Sequence, residues 1–176
     1  VNCLGDLGTH VENAVATLTG LKIKRVLAKM DIVVPGRVLD DNDVVMVEYE
    51  GGATGVYWTS QFAIGHKNDL RVRIYGEKGS ILWEQENCEK VTMIEYDGTE
   101  VVRYRGTPGI EPGAAAYGRL PSGHTEGWLE SMGNLYKSFI TCVNAKKDGS
   151  FTEDMIDFPT VSDGAETHST LCALCG

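Results

Sequence analysis

An acidic residue and an imidazole stand four positions apart near the start of this sequence. Asp6 and His10 belong to the run Gly5-Asp6-Leu7-Gly8-Thr9-His10, where helical periodicity begins. On a helix, residues at positions i and i+4 lie on the same face. A carboxylate beside an imidazole can orient a histidine that transfers a proton. A simpler role fits the same pair, in which Asp6 caps the helix and His10 lies half-exposed on its surface.

Two further polar clusters occur where loops meet predicted elements. His124 and Glu126 stand where a Gly/Pro-rich connection enters a long helix, and the free N–H groups of a helix start attract polar ligands. His66 and Asn68 lie in a loop between two predicted strands. Each cluster also has a structural interpretation: a helix start with Thr125 as its cap, and an exposed loop.

The composition is typical of a globular domain. With 42% hydrophobic residues among 176, the chain is long and apolar enough to bury a core. The net charge of −9 argues against a nucleic-acid binder, because phosphate contacts need clustered Lys and Arg. The apolar stretches are too short to span a bilayer, and the first residues do not resemble a signal peptide. We therefore expect residues 1–176 to form one cytoplasmic domain.

Five cysteines are scattered along the chain, an odd number that fits a reducing compartment. Cys172 and Cys175 form a C-x-x-C pair inside an apolar helical pattern, and no second C-x-x-C accompanies them. We interpret the cysteines as core or helix-face residues and expect no metal site.

Helical periodicity predicts two substantial helices. The first covers residues 6–19 and is stopped by Gly20, and the second runs from its cap, Thr125, to about Lys146. A stripe of apolar residues along the second helix indicates a buried face. Its members are Trp128, Leu129, Met132, Leu135, Tyr136, Phe139, Ile140 and Val143.

Between these helices the pattern is that of six or seven short strands. Gly51-Gly52 and Asp97-Gly98 are hairpin signals, and residues 70–75 alternate apolar and polar side chains. Short turns between consecutive strands imply an antiparallel meander. A closing helix over residues 164–175, capped by Asp163, completes the chain. We predict an α+β fold, with one open, mainly antiparallel β-sheet and helices packed on one face.

One face of the predicted sheet is a candidate surface for self-association. The side chains expected to point toward the helices are Leu70, Val72, Ile74 and Trp58. Those expected on the opposite face are Arg71, Arg73, Tyr75, Tyr57 and Thr59. A mixed polar and aromatic face suits contact between two sheets, so we expect a homo-oligomer. A face that is simply solvated is the alternative.

Four segments of the chain resemble the Gfo/Idh/MocA family, named after glucose–fructose oxidoreductase and inositol dehydrogenase. They occur in the family's order across nearly the whole sequence, at residues 5–10, 68–83, 120–127 and 158–164. The resemblance implies the C-terminal, substrate-side domain of an NAD(P)-dependent oxidoreductase that acts on a sugar or polyol.

The resemblance also assigns roles to the polar residues. It implies that His10 binds the substrate hydroxyl or transfers its proton, and that Asp6 orients His10 or binds a sugar hydroxyl. The residues that we predict to bind substrate around this catalytic pair are His124, Glu126, His66 and Asn68.

Family members also carry an N-terminal dinucleotide-binding half with a Gly-rich fingerprint and a catalytic lysine in a Glu-Lys-Pro segment. This sequence has neither a G-x-G nor a Glu-Lys-Pro. We therefore expect NAD or NADP to bind a missing N-terminal Rossmann domain of the parent protein, and no cofactor to bind this chain alone. The alternative is a free-standing, non-catalytic module that binds a ligand or self-associates through its sheet.

Overall fold

The computed structural model describes residues 2–172, which divide into two compact units. The first unit takes in the described residues up to Lys67 and those from Pro159 onward, and the second is Asn68–Phe158. Helices accompany antiparallel strands, so the predicted α+β class is confirmed.

The first unit opens with a helix whose first turn is π-helical. This turn, Leu4–Gly8, continues directly into α1, Thr9–Thr19. Gly20 ends α1 as predicted, because its φ of 67° is left-handed and its N–H donates to the Ala16 carbonyl. The other elements of this unit are β1 (Ile23–Asp31), β2 (Asn42–Tyr49), β3 (Thr54–Ser60) and α4 (Val161–Cys172).

The core of the first unit lies between the opening helix and one face of the β1-β2-β3 sheet. Alternate residues of β2 are buried, which gives this strand one apolar face. Val11 and Val15 of α1 pack against that face. Each large side chain removed from water stabilises the fold by about 1.5–3 kcal/mol. The buried cluster consists of Leu4, Val45, Val47, Tyr49 and Tyr57.

The face of β3 that meets the helix is the reverse of the predicted one. Tyr57 and Thr59 are 5% and 4% exposed, whereas Trp58 is 57% exposed. The Tyr57 hydroxyl donates to Glu12 Oε2 at 2.6 Å, and the Thr59 hydroxyl donates to Asp43 Oδ2 at 3.2 Å. Both hydroxyls are therefore satisfied inside the unit, which removes the cost of burying them.

The second unit contains a four-stranded antiparallel sheet whose strands are adjacent in chain order: β4 (Arg71–Gly76), β5 (Gly79–Glu84), β6 (Lys90–Glu95) and β7 (Glu100–Tyr104). In its first strand Val72 is buried while Arg71, Arg73 and Tyr75 are exposed, so the predicted alternation is confirmed. The Asp97-Gly98 turn joins β6 to β7, with Gly98 at a φ of 87°. The helices of this unit are α2 (Pro112–Ala115) and α3 (Trp128–Asp148).

The strands hydrogen-bond as two sheets rather than the single sheet that we predicted. The ten residues between β3 and β4 form no strand, so they do not extend the backbone hydrogen bonding of one sheet into the other. Turn signals predict where strands reverse, but they do not show whether two consecutive hairpins share an edge.

The long helix differs from its prediction at its start and on its apolar face. It is preceded by Gly127, whose N–H donates to Glu130 Oε2 at 2.8 Å, so Thr125 is not its cap. The predicted buried stripe is largely exposed: Trp128, Leu129, Leu135, Tyr136, Phe139 and Ile140. The buried positions of α3 are Cys142 and Ala145. Helical periodicity identifies an apolar face but does not show that a neighbouring element covers it.

The closing helix begins earlier than predicted. Thr160 N donates to Asp163 Oδ2, and Asp163 N donates to the Thr160 hydroxyl, so these two residues form a reciprocal capping box. Asp163 is therefore inside the first turn rather than at the cap. Cys175, half of the C-x-x-C pair, lies outside the described residues. Within residues 2–172, no helix combines the length and apolarity needed to cross a membrane.

Candidate functional site

Asp6 and His10 lie on the opening helix of the first unit, and both are exposed. Asp6 sits inside the π-helical turn, which Cys3 precedes, so the interpretation of Asp6 as a cap residue is wrong. The Thr9 hydroxyl donates to the Asp6 carbonyl at 2.8 Å within this turn. Single π-helical turns within α-helices are rare and frequently occur at functional sites. Both side chains are accessible to a ligand, and Asp6 lies in the π-helical turn.

Asp40, just before β2, holds the start of this helix. Its carboxylate accepts from Leu4 N at 3.1 Å and from Asn2 Nδ2 at 2.8 Å, and its carbonyl accepts from Cys3 N at 3.2 Å. Burial acts to raise the pKa of Asp40, but the hydrogen bonds from Leu4 and Asn2 outweigh it and keep the pKa below its usual range. Asp40 thus binds the helix start as a carboxylate.

Asp43 lies beneath the same helix start and is fully buried. Its Oδ2 accepts from Thr59, while no donor among the described residues reaches its Oδ1. Burial, followed by the negative charge of Asp40, raises the pKa of Asp43 to about 6. Burial likewise raises the pKa of the Cys3 thiol to about 11, so Cys3 is not a nucleophile at neutral pH.

A second buried network fixes α1 along its length. Glu12 is 8% exposed and accepts the Tyr57 hydroxyl at 2.6 Å, and the Tyr49 and Tyr57 hydroxyl oxygens are also 2.6 Å apart. Burial raises the pKa of Glu12, and the hydrogen bond from Tyr57 offsets part of that rise. This network fixes the rotation of the helix that carries His10. Sequence analysis missed Glu12, because an acidic residue on an amphipathic helix is usually solvated.

His124 and Glu126 lie in the connection between β7 and α3, within the second unit. His124 is exposed, whereas Glu126 is only 6% exposed. Glu126 Oε1 accepts from Arg119 N at 2.6 Å, from Leu120 N, and from Arg105 Nη1 at 3.0 Å. Substrate binding by Glu126 stays a prediction, but its carboxylate is engaged in shaping the loop around His124.

His66 and Asn68 are both exposed and fall in different units. The His66 ring meets the Trp58 ring edge-on, with centroids 6.4 Å apart and an interplanar angle of 80°. Trp58 is exposed, so this contact places the His66 ring beside an exposed side chain of β3. Asn68 is the first residue of the second unit, which also contains His124.

The described residues hold no group of three or more His, Cys, Asp or Glu side chains arranged to bind a metal ion. Cys3, Cys88 and Cys142 are free thiols, and Cys3 and Cys142 are buried. Asp6 and His10 themselves supply a carboxylate and an imidazole.

Comparison with known proteins extends this description. Residues 2–82 match the family model described as the GFO/IDH/MocA C-terminal domain. The uncharacterized oxidoreductase YfiI of Bacillus subtilis is 32% identical over 167 residues, which make up 93% of this chain and 42% of that protein.

Solved structures with the same fold include an oxidoreductase from Sinorhizobium meliloti, with a TM-score of 0.93 and 33% identity over 99% of this chain and 49% of that one. An inositol dehydrogenase homolog from Azotobacter vinelandii, complexed with NADH and myo-inositol, matches with a TM-score of 0.86 and 28% identity, over 98% of this chain and 45% of that one. The chain therefore spans less than half the length of these relatives.

Proposed function

Because this chain belongs to the Gfo/Idh/MocA family as its C-terminal domain, we propose that it is the substrate-side domain of an NAD(P)-dependent oxidoreductase. The proposed reaction transfers hydride between the nicotinamide and a carbon bearing a hydroxyl or carbonyl group of a sugar or polyol. The observation that carries this proposal is the exposed Asp6–His10 pair on the opening helix, with Asp6 in the π-helical turn that Asp40 holds and His10 in the first turn of α1. The relative complexed with NADH and myo-inositol supports the substrate class.

When bound to the parent protein, the nicotinamide would supply the hydride acceptor, and residues of this chain bind and transfer the proton. The imidazole of His10 takes the proton of the reacting hydroxyl as the C–H bond breaks, so that the carbinol becomes a carbonyl. Asp6 orients the imidazole or binds a neighbouring hydroxyl. The buried Glu12–Tyr57 bond beneath α1 keeps the pair in position without itself reaching the substrate. In the reverse direction, His10 returns the proton to the developing alkoxide.

We propose that the dinucleotide is held by an N-terminal Rossmann domain of a longer parent protein. This chain has no G-x-G turn, so its backbone offers no fingerprint loop for close approach to a pyrophosphate. Residues 1–176 then form the substrate-side domain. The free thiols of Cys3, Cys88 and Cys142 agree with a cytoplasmic location for this protein.

Calorimetry with NAD⁺ and NADP⁺ tests whether the dinucleotide binds to the N-terminal domain rather than to this chain. We expect no measurable heat of binding for the 176-residue chain, and saturable binding for the longer parent protein. A parent in which the first glycine of the G-x-G turn is replaced by a bulky residue serves as the control and is expected to lose binding. Micromolar binding of either cofactor to the isolated chain would contradict the proposal.

We also propose self-association through the face of the β1-β2-β3 sheet opposite α1. This face carries neighbouring exposed apolar side chains, which we name the open-face patch. Contiguous apolar patches of this kind mark association surfaces. Tyr57, which we predicted on this face, is instead buried against Glu12. The open-face patch consists of Leu27, Val44, Met46, Val56 and Trp58.

Replacing Met46 at the centre of the open-face patch by glutamate is expected to convert an oligomer into a monomer, because each copy would bury a carboxylate in the interface. Static light scattering measures the outcome. Leu18→Glu, the same type of change at an exposed site on α1, is the matched control and should remain oligomeric. Dissociation by Arg73→Glu but not by Met46→Glu would place the interface on the β4–β7 sheet instead. A wild-type monomer at high micromolar concentration would contradict self-association.

A further inference from the structure

The connection between β7 and α3 is organised around one side chain that the proposed mechanism does not use. Arg105 follows β7 directly, and its side chain is 21% exposed. Nε and Nη2 donate to the two carboxylate oxygens of Glu89 at 3.1 and 3.0 Å, a bidentate pair. Nη1 donates to Glu126 Oε1 at 3.0 Å and to the Leu120 carbonyl at 2.8 Å. Nη2 donates to the His124 carbonyl.

All five N–H groups of this guanidinium therefore have an acceptor, which is the full donor capacity of arginine. The two carboxylates also accept hydrogen bonds from backbone amides of the loop. Glu89 Oε1 accepts from Glu126 N at 2.9 Å, and Glu126 Oε1 accepts from the amides of Arg119 and Leu120. We name Arg105, Glu89 and Glu126 the clamp. It ties residues 119–126 to the end of the sheet through charged hydrogen bonds.

A separate set of bonds holds the same loop against α3. Asn134 Nδ2 donates to the Tyr117 carbonyl at 2.7 Å, and Arg119 Nε donates to Asn134 Oδ1 at 3.0 Å. His124 N donates to the Pro121 carbonyl at 3.1 Å, which closes a turn in which Gly123 has a φ of 85°. Both the N–H and the carbonyl of His124 are thus hydrogen-bonded, while its side chain is exposed.

We propose that Arg105 is a positioning residue, which fixes the backbone of residues 119–126 so that the imidazole of His124 is presented to the substrate. This inference rests on the proposed function and on the sequence-based prediction that His124 binds the sugar or polyol. Lysine cannot substitute for Arg105, because one ammonium group has three donors at a single point and cannot reach two carboxylates and two carbonyls.

Hydrogen exchange on the 176-residue chain tests the positioning independently of any activity. In Arg105→Lys we expect the amides of Arg119, Leu120 and Glu126 to exchange about tenfold faster or more, since their acceptors lose the cation that orders them. Amides of the β6–β7 ladder are the internal reference and should not change. Arg103→Lys, at an exposed site on β7 two residues before Arg105, is the matched control. If Arg105→Lys does not fold, Glu126→Gln replaces it, with a smaller effect on the same amides.

Kinetics of the longer parent protein test the consequence for the substrate. We expect Arg105→Lys and His124→Ala each to raise KM for the polyol roughly tenfold, with smaller changes in kcat. The double variant should resemble the single ones, because both changes remove the same contact. Unchanged exchange in Arg105→Lys would overturn the proposal, and so would KM effects that multiply in the double variant. A parent that oxidises no polyol would overturn the proposed function, while the exchange result would still decide whether Arg105 fixes the loop.

Discussion

Replacing His10 by alanine in the longer parent protein is expected to lower kcat by about 10²–10⁴-fold, the usual cost of losing a positioned proton-transfer group. Cofactor affinity should be almost unchanged, because the dinucleotide is held by the other domain in this account. Steady-state kinetics with calorimetry of cofactor binding measure both quantities. His168→Ala, at another exposed histidine of the same unit, is the matched control and should retain wild-type kcat.

Asp6→Asn distinguishes orientation of the imidazole from a purely structural role. We expect a loss in kcat in the same direction as His10→Ala but smaller, since the amide removes charge and leaves the proton-transfer group in place. The melting temperature should change little, because Asp6 is exposed and does not cap the helix. A His10→Ala enzyme with near wild-type kcat would contradict the catalytic assignment of the pair.

The second large effect concerns stability, and it has opposite signs at two buried aspartates. Asp41→Asn is expected to lower the melting temperature at neutral pH by several degrees, because the Asp41 carboxylate accepts from Val33 N at 2.8 Å and Val34 N at 3.0 Å and pairs with Arg37. Asp43→Asn is expected to raise the melting temperature at neutral pH, since the amide removes a buried negative charge beside Asp40 and its NH₂ can donate to Asp40 at the position where Asp43 Oδ1 has no donor among the described residues.

The pH dependence of each variant follows from the direction of its pKa shift. Burial acts to raise the pKa of Asp41, but the bonds from Val33, Val34 and Arg37 outweigh it and hold the pKa low. Its stabilisation is present above the unfolded-state pKa and is lost as the pH falls, so the Asp41→Asn deficit should shrink in acid. The folded-state pKa of Asp43 is raised to about 6, so ionising it destabilises the fold as the pH rises from about 4 through 6.

Melting curves of both variants and the wild type between about pH 2 and pH 8 therefore test two opposite slopes in one series, that of Asp41→Asn below about pH 4 and that of Asp43→Asn between about pH 4 and pH 6. The gain of Asp43→Asn over wild type should be greatest above pH 6 and vanish near pH 4. An Asp43→Asn variant that is less stable than wild type at pH 8 would show that Asp43 serves as a carboxylate, contrary to its buried setting.

Local signals predicted the elements that depend on local chemistry. Gly20, Gly51 and Gly98 all adopt positive φ at the helix end and hairpins where the sequence places them. The alternation of β4 also follows directly from Val72 and its charged neighbours. In each case the deciding interaction lies within a few residues along the chain, so the sequence carries enough information.

The features that sequence analysis missed depend on distant partners. Tyr57 faces inward because Glu12, 45 positions earlier, accepts its hydroxyl. Glu126 is buried because Arg105 and the amide of Leu120 converge on its carboxylate. Neither Glu12 nor Glu126 belongs to a periodic pattern that would indicate burial, and a single polar residue on a helix or in a loop is normally solvated. The Asp6–His10 pair was found because both residues are on one helix, whereas the clamp spans three segments.

The most direct test of the proposed function is deuterium transfer in a single turnover of the parent protein. A polyol carrying deuterium on its carbinol carbons is mixed with the cofactor-loaded enzyme, and the reduced nicotinamide is analysed by mass spectrometry. We expect the label to reach the nicotinamide in the wild-type protein, and to arrive about 10²–10⁴-fold more slowly in His10→Ala at equal cofactor loading. Absence of label from the nicotinamide of the wild-type protein, or equal rates in the two proteins, would contradict the proposed function.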